Sequence, residues 1–248
     1  MGGRLIPSFG LVDVHAHVLP GMDDGARDAD EAVRLLELSD RQGVRHIWAT
    51  PHFYPKQEDP DSFLRRRERA IRRLCDVWNP DSMPRVYASA EVAYFCGIGR
   101  SAYAGELCLE GTPYILVEMP EDEWSPDTVE DLLLLRFFRN LRPIIVHVER
   151  CIGYQSRRTL ARLTEEGVLF QCNARFLSNY EANKRQIRSL FRADRMDLIG
   201  SDCHNMRSRQ PNIPSALRAL SEAAEEEKLR AALRRAADIT RTATPCCY

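Results

Sequence analysis

The chain has 248 residues, with 35 basic and 36 acidic side chains and a formal net charge of -1. A chain of this length can bury a substantial core, and its balanced charge provides no global field to hold nucleic acid or an anionic membrane. Any role for basic charge must therefore be local. No apolar run approaches the roughly 20 residues that span a bilayer, and the start of the chain lacks the apolar core of a signal peptide. We expect a soluble, cytoplasmic protein, and its oligomeric state is left open.

The eight cysteines show no Cys-x-x-Cys pair and no regular spacing of a small disulfide scaffold. This pattern predicts free thiols in a reducing compartment. The terminal Cys246-Cys247-Tyr248 fits no pattern that we can interpret.

Short apolar segments alternate with helical patterns along the whole chain. Strands are predicted at residues 11–15, 46–50, 86–91, 114–118, 143–147, 169–173 and 197–201. Helices are predicted at residues 28–42, 62–78, 127–140, 156–166 and 184–193, and in two segments after Pro214. The repeated strand-helix order, without a linker, predicts an α/β fold in which one domain, residues 1–248, forms a closed or nearly closed parallel barrel.

Polar residues cluster at the carboxyl ends of these strands, which is the functional edge of a parallel barrel. They are His15, His17, His52, Glu91, Glu118, His147, Asp202 and His204. Because side chains alternate along a strand, His15 and His17 point the same way and can bind one ion. The mixture of imidazole and carboxylate groups without thiolate suits Mn, Fe or Zn. The remaining histidine, His46, lies at the amino end of its strand and is interpreted as structural.

The motifs that contain these residues resemble those of the polymerase-and-histidinol-phosphatase (PHP) superfamily. They are Val12-Asp13-Val14-His15-Ala16-His17, Leu19-Pro20-Gly21-Met22-Asp23-Asp24-Gly25, Ala49-Thr50-Pro51-His52, Ala90-Glu91, Val117-Glu118, Val146-His147-Val148-Glu149-Arg150 and Ser201-Asp202-Cys203-His204-Asn205. The Pro-Gly-x-Asp-Asp-Gly loop and the His-x-Glu-Arg segment are similar to those of bacterial manganese-dependent protein-tyrosine phosphatases of capsule and exopolysaccharide operons. The resemblance implies a distorted seven-stranded (β/α)7 TIM-like barrel, and it is weak beyond Pro214.

Carried over residue by residue, the resemblance implies up to three divalent metal ions, with Mn favoured over Fe or Zn. The first ion would be bound by His15, His17 and Asp202. Glu91 would bridge it to a second ion, bound by Glu118 and His147. The third would be bound by Asp24, His52 and His204.

The same resemblance implies hydrolysis of phosphotyrosine, with an autophosphorylated tyrosine kinase of polysaccharide export as the protein substrate. Clustered cations neutralise phosphate oxygens and lower the pKa of a bound water, so metal-bound hydroxide is the expected nucleophile. Arg150 and Arg209 are candidates for a phosphate clamp, with Arg207 as an alternative to Arg209, because a guanidinium matches phosphate oxygens in a bidentate way. Four aromatic residues follow predicted ligands and are candidates to stack on the phenyl ring: Phe53, Tyr54, Tyr94 and Phe95.

Other functions are compatible with the same motifs. A small-molecule phosphoesterase such as histidinol phosphatase, or a nuclease-like diesterase, would use the same ligands, and a non-catalytic regulator would keep the fold and bind a kinase. The spacing used by cysteine phosphatases, Cys-x5-Arg, occurs at Cys151–Arg157 and Cys203–Arg209. Neither segment has the Gly-rich cradle that would bind phosphate through backbone N–H groups, so a thiolate mechanism is disfavoured.

Overall fold

Parallel strands connected by helices make up most of the molecule, as the sequence predicted. The computed structural model describes residues 6–193, 195–223 and 225–247. The strands are β1 (Leu11–Ala16), β2 (Val44–Ala49), β3 (His52–Phe53), β4 (Arg85–Ala88), β5 (Glu91–Ala93), β6 (Tyr114–Glu118), β7 (Arg142–Ile145), β8 (Leu169–Asn173), β9 (Leu198–Gly200) and β10 (Pro245–Cys247). The α-helices are α1 (Ala29–Arg41), α2 (Pro60–Cys75), α3 (Pro126–Arg139), α4 (Arg157–Glu165), α5 (Ala174–Ser178), α6 (Tyr180–Arg192), α7 (Ile213–Glu222) and α8 (Glu226–Thr240). Within these ranges, no helix has the length and apolar character to cross a membrane.

The strands are arranged in two sheets, with orders β1-β2-β4-β10 and β3-β5-β6-β7-β8-β9. All pairings are parallel except that of β10 with β4. The predicted strand 46–50 corresponds to β2, and the short strand β3 that follows Pro51 was not predicted. Pro51 has no N–H for a ladder, so β2 cannot continue through it. The predicted strand 86–91 is interrupted between β4 and β5. The structure therefore has an α/β fold with two sheets where one seven-stranded sheet was predicted.

The two sheets meet beside the predicted site. Ala16, at the end of β1, forms a parallel bridge with Cys203, which follows β9. Two backbone hydrogen bonds support this contact, from Asp202 N–H to the His15 carbonyl (2.8 Å) and from His17 N–H to the Cys203 carbonyl (2.9 Å). The ends of the first and last parallel strands are thereby held side by side.

The C-terminal segment differs most from the sequence prediction. Residues 245–247 add the antiparallel strand β10, and Cys247 forms a disulfide with Cys75 at the end of α2. The prediction that all eight cysteines are free is wrong for this pair, so cysteine usage no longer supports a reducing compartment. The partners are 172 residues apart, and only tertiary contact brings them together. Tyr248 lies outside the described residues.

Helix caps depend on neighbouring residues, and the cap predicted for α1 is present in the structure. Asp28 accepts from the Glu31 N–H (2.8 Å) at the start of α1, as its position before the helical pattern predicted. Helix α2 begins two residues earlier than predicted, with Asp59 as its cap and Pro60 in its first turn. The short helix α5 was not predicted, because its five residues are too few for a helical period to show in the sequence.

Candidate metal centre

The predicted strand-end residues converge at one edge of the sheets. His15 and His17 come from the end of β1, His52 from β3, Glu91 from the start of β5, and Glu118 from the end of β6. His147 follows β7, and Asp202 and His204 follow β9. All of these side chains except Glu118 and His52 are buried, although the residues are charged or strongly polar. Buried groups of this kind need partners or a bound ion.

The Glu91 carboxylate lies at the centre of the cluster. Its Oε2 is 3.2 Å from the Nε2 atoms of both His15 and His17 and 3.0 Å from His52 Nδ1. Its Oε1 is 2.7 Å from His147 Nε2, which is in turn 3.5 Å from a Glu118 oxygen. Four imidazoles therefore surround one buried carboxylate, which occupies the position of a bridging group.

Three groups of side chains have donor atoms close enough to hold a metal ion. They are His15, His17 and Asp202; His52, Glu91 and Glu118; and His17, Asp24, His52 and His204. The first group is the first predicted ligand set, and the last contains the whole third set. In the remaining group His52 stands with Glu91 and Glu118, where the resemblance placed His147. The His147 Nε2 atom still lies 2.7 Å from Glu91 and 3.5 Å from Glu118. Asp24 is exposed and lies 3.3 Å from His204 Nε2, at the outer side of the cluster.

The hydrogen bonds of the ring nitrogens show which atoms face the cluster. His15 Nδ1 is 3.2 Å from Gln171 Oε1, and His17 Nδ1 is 2.7 Å from Asp23 Oδ2, so in each ring Nδ1 carries the proton. The two Nε2 atoms then point lone pairs at each other across 3.2 Å. This contact is repulsive unless a proton or a metal ion lies between them, and neutral imidazoles oriented in this way are the form that binds metals.

The cluster as a whole favours positive charge. Burial disfavours the charged form of His17, but the carboxylates of Asp23 and Glu91 outweigh it and raise its pKa to about 10. Glu91 shows the converse, since burial opposes ionisation but the surrounding histidines lower its pKa well below the usual range. Three buried atoms of the cluster also lack a hydrogen-bond partner among the described residues: Glu91 Oε2, His52 Nδ1 and His204 Nε2. The donor set and these free lone pairs fit divalent cations.

Backbone geometry at two of these residues is unusual. His147 and Asp202 have φ values of 34° and 54°, and Asn140, a helix C-cap, is the third residue other than glycine with positive φ in the described ranges. Such conformations cost free energy for residues with a side chain. Two of the three fall on predicted ligands, which indicates that the surrounding structure holds these side chains in place.

Two glycines pack so closely against His15 and His17 that a side chain would not fit at either position. A Cβ at Gly25 would lie 2.4 Å from the His17 carbonyl oxygen, and one at Gly200 would lie 2.5 Å from His15 Cβ. Cβ atoms in protein structures are essentially never found so close to another heavy atom, so these two positions require glycine. Gly25, the last residue of the Pro-Gly-x-Asp-Asp-Gly loop, thus lets the loop pack closely against His17.

Arg150 and Arg209 both reach the cluster. Arg150 NH2 is 3.1 Å from Asp202 Oδ2, and Arg209 NH2 is 2.8 Å from the same oxygen. Both line a cavity of about 550 Å³ beside Asp202. Arg207 lines the same cavity but is exposed, and no contact of its side chain with the predicted ligands is observed. Between the two alternatives, the structure places Arg209 at the cluster.

Of the four aromatic candidates, one lies beside the predicted ligands and three pack in or against the hydrophobic core. Tyr54 stacks on the His52 ring (centroids 5.1 Å apart) and lines a cavity with Asp24 and His52. Phe53 is fully buried in the core, and Tyr94 and Phe95 pack against the core. Of the four candidates, Tyr54 is therefore the one observed to line a cavity with predicted ligands.

Residues that orient the predicted ligands were missed from the sequence. Gln171 on β8 accepts from the His147 N–H (2.8 Å) as well as from His15, and it donates to Asn173 (3.0 Å), which donates to Asp202 (2.9 Å). Gln171 and Asn173 sit two apart at the end of a predicted strand, as His15 and His17 do. That spacing was the available signal, but amides are not metal-ligand types and were passed over.

Asp23 and Asn205 have similar roles in loops. Asp23 orients His17 and also accepts from the His52 N–H (2.9 Å). Asn205 Oδ1 accepts from the N–H groups of Arg207, Ser208 and Arg209, which shapes the loop that carries Arg209. Both residues belong to the motifs quoted above, yet their roles depend on loop conformation.

The cysteines with the Cys-x5-Arg spacing are buried. Cys151 and Cys203 are 2% and 0% exposed, and burial raises the pKa of the Cys151 thiol to about 12 and that of Cys203 above its usual range. Both are therefore neutral thiols, whereas a nucleophilic cysteine must be a thiolate. This agrees with the prediction against a thiolate mechanism.

The fold and the site together define an α/β protein with a buried histidine-carboxylate cluster, able to hold metal ions, at the ends of parallel strands. The family model for capsular polysaccharide synthesis, CpsB/CapC, matches residues 11–239, and the chain belongs to this family. Tyrosine-protein phosphatase YwqE of Bacillus subtilis is 28% identical over 221 residues, covering 86% of this chain and 84% of YwqE. Tyrosine-protein phosphatase CpsB of Streptococcus pneumoniae is 26% identical over 221 residues, covering 83% and 88%.

A solved structure agrees with these relationships. It comes from crystallographic work on YwqE from B. subtilis and CpsB from S. pneumoniae, which are metal-dependent tyrosine phosphatases, and superposes with a TM-score of 0.80 at 26% identity over 94% of this chain and 96% of that chain. A dihydroorotase-like domain from Chaetomium thermophilum, at 16% identity and a TM-score of 0.54, shares the fold alone.

Proposed function

We propose that the protein is a metal-dependent protein-tyrosine phosphatase. The observation that carries this proposal is the convergence of four histidines on the buried Glu91, with two arginines on the adjoining Asp202. The family and the activities in the names of YwqE and CpsB support the same reaction.

The proposed ligands are those of the sequence prediction, with Mn favoured over Fe or Zn. They are His15, His17, Asp24, His52, Glu91, Glu118, His147, Asp202 and His204. Bound divalent ions would neutralise phosphate oxygens and acidify a water molecule for in-line attack. Asp23 and Gln171 orient His17 and His15 so that their Nε2 atoms face Glu91, where these nitrogens and the two Glu91 oxygens would be available to hold divalent ions.

The proposed substrate contacts come from Arg150, Arg209 and Tyr54. The two guanidinium groups have further N–H donors beyond those that contact Asp202, and they can bind the equatorial phosphate oxygens. Tyr54 stacks on His52 and lines the cavity that also contains Asp24. From this position its ring can pack on the phenyl ring of the substrate. The phenol has a pKa near 10 and leaves readily once the phosphoryl oxygens are neutralised.

The architecture proposed for this activity is one domain, residues 1–248, with the strands arranged as a distorted seven-stranded (β/α)7 barrel of the PHP type. In this arrangement β2 with β3, and β4 with β5, each count as one interrupted strand. The bridge between Ala16 and Cys203 would close the ring between the first and last strands, and the TM-score of 0.80 to the phosphatase structure supports it. The proposed protein substrate is an autophosphorylated tyrosine kinase of capsule or exopolysaccharide synthesis.

A metal-replacement assay with a panel of substrates tests the function. After chelation and dialysis, turnover of a phosphotyrosine peptide should be lost, and Mn should restore it more fully than Fe or Zn. Histidinol phosphate and a phosphodiester should be poor substrates for the Mn form. Full activity in protein shown to be metal-free would refute the metal dependence, and a preference for histidinol phosphate would assign the small-molecule phosphatase function instead.

A further inference from the structure

Helix α2 carries a concentration of arginines that the metal centre does not use. Four of them, Arg66, Arg69, Arg72 and Arg73, line a cavity of about 550 Å³ together with Gly21, Met22 and Asp76. Arg66, Arg69 and Arg73 are spaced at i, i+3 and i+7, so they lie on one face of the helix. We call this cavity the α2 arginine pocket.

The loop of residues 20–24 connects the pocket to the cluster of predicted ligands. Arg73 donates to the Pro20 carbonyl (3.0 Å), and Arg66 donates to the Met22 carbonyl. The same loop contains Asp23, which orients His17, and Asp24, which faces His204. A second cavity, lined by Asp24, His52 and Tyr54, also includes Met22 and Arg66. The two cavities share these lining residues and are therefore adjacent on the surface, within reach of one bound peptide.

The protein neutralises the charge of the α2 arginine pocket only in part. Arg66 pairs with Glu58 and Arg72 with Glu68. Within the described ranges, neither Arg69 nor Arg73 has a carboxylate within salt-bridge distance, and Asp76 is the one acidic residue that lines the pocket. The chain as a whole is almost neutral, so this excess of positive charge is local.

We propose that the α2 arginine pocket binds an oxyanion on the same polypeptide whose phosphotyrosine occupies the metal centre. Guanidinium groups bind both phosphate and carboxylate oxygens, and their fork geometry and weak hydration make them suited to such contacts at a partly exposed surface. The anion is a second phosphotyrosine or an acidic residue a short distance along the substrate chain. This site would select substrates with several anionic groups, and the inference rests on the proposed phosphatase function.

Peptides that differ at one position test the proposal. Each carries one phosphotyrosine and, about two to eight residues away, alanine, glutamate or the non-hydrolysable phosphonomethyl-phenylalanine, since each residue adds roughly 3.3 Å of reach in an extended chain. The variant is Arg69→Glu, since no hydrogen bond or ion pair of Arg69 is observed in the described ranges. Arg158→Glu, an exposed arginine of α4 that does not line the pocket, is the matched control.

With the wild-type protein, the KM of an anionic peptide at the best spacing should be about tenfold below that of the alanine peptide. Arg69→Glu should abolish this difference without changing turnover of the alanine peptide, and Arg158→Glu should retain it. An equal gain from glutamate and the phosphonate identifies simple charge recognition, whereas a gain from the phosphonate alone identifies a phosphate site.

Direct binding separates this proposal from the proposed function. If no peptide is hydrolysed, the phosphatase function fails, but anisotropy with a peptide that carries phosphonates at both positions still reports on the pocket. Equal affinity of this peptide for the wild-type and Arg69→Glu proteins would overturn the proposal, as would the absence of any anion preference at every spacing. A tenfold weaker affinity of the variant alone, with Arg158→Glu unchanged, would support it.

Discussion

Arg150 donates to Asp202 Oδ2 (3.1 Å), and Arg209 forms an ion pair with the same carboxylate oxygen at 2.8 Å. Arg150 follows β7 and Arg209 lies in the loop after β9, so the two guanidinium groups approach Asp202 from different parts of the chain. Both side chains are about one-third exposed, which leaves N–H donors facing the cavity beside Asp202. A phosphate that enters this cavity can be held between them.

Removal of either arginine should therefore impair the reaction. Arg150→Ala and Arg209→Ala should each lower kcat/KM for a phosphotyrosine peptide by about one to three orders of magnitude, in the range expected when a preorganised charge is lost from a phosphoryl-transfer site. Arg207→Ala is the control and should retain most activity. Steady-state kinetics with metal content measured in each variant tests this, and an unchanged Arg150→Ala enzyme would remove that residue from the site.

A comparison of cysteine and aspartate variants separates the two phosphatase chemistries. Cys151→Ser and Cys203→Ser should each keep most activity, because both thiols are buried and neutral, whereas Asp202→Asn should lose nearly all of it by weakening a metal ligand. Cys203 lies between Asp202 and His204, so a severalfold loss there is compatible with the proposal. A trapped phosphocysteine, or an inactive Cys151→Ser protein with normal metal content, would contradict it.

Gln171 should affect metal binding although it is not a proposed ligand. It contacts His15 Nδ1 and the His147 N–H, so Gln171→Leu should free the His15 ring and weaken metal affinity by about 10- to 100-fold. Metal titration of the apoprotein measures this directly. The Gln186→Leu variant is a suitable control, since Gln186 donates to the Glu149 carbonyl and no hydrogen bond from it to a proposed ligand is observed among the described residues. Equal affinities in the two variants would show that Gln171 does not orient the site.

The disulfide between Cys75 and Cys247 should stabilise the C-terminal strand. Because it closes a long loop, it restricts the unfolded chain, and a loop of this length corresponds to at most about 5 kcal/mol. Cys247→Ser should lower Tm by several degrees in non-reducing buffer and remove the effect of added reductant. Cys246→Ser, at the neighbouring free thiol, should keep that effect. A wild-type Tm that is the same with and without reductant would be contrary to expectation.

His46 predicts a specific dependence of stability on pH. Burial lowers its pKa to about 4, whereas the unfolded chain has a value of about 6.5. Between pH 6.5 and 4 the unfolded state binds the additional proton, so the stability contributed by neutral His46 falls as the pH falls through this window. His46→Phe removes this term, and the difference in free energy of unfolding between the two proteins should shrink from pH 7 to pH 4 in urea titrations. A constant difference would mean that His46 titrates normally in the folded protein.

The positions of the predicted ligands could be read from local sequence, because each lies at or just after the end of an apolar segment. Side-chain alternation placed His15 and His17 on one side of a strand, and the parallel order of strands placed their ends at one edge. The structure brings these residues together as expected. It also places His46 away from them, stacked on Phe9 and hydrogen-bonded to Tyr87.

Contacts between distant segments could not be read in the same way. Gln171 is 156 residues from His15, and Cys75 is 172 residues from Cys247, so no period or spacing links these pairs. Their proximity follows from the order in which strands and helices pack, which depends on the burial of many side chains at once. Tertiary packing also brings Arg209 to Asp202, and it brings the four arginines of α2 into one cavity with Gly21 and Met22. Strand ends and residue types were determined by the sequence itself, whereas the partners that orient each ligand were decided only by tertiary packing.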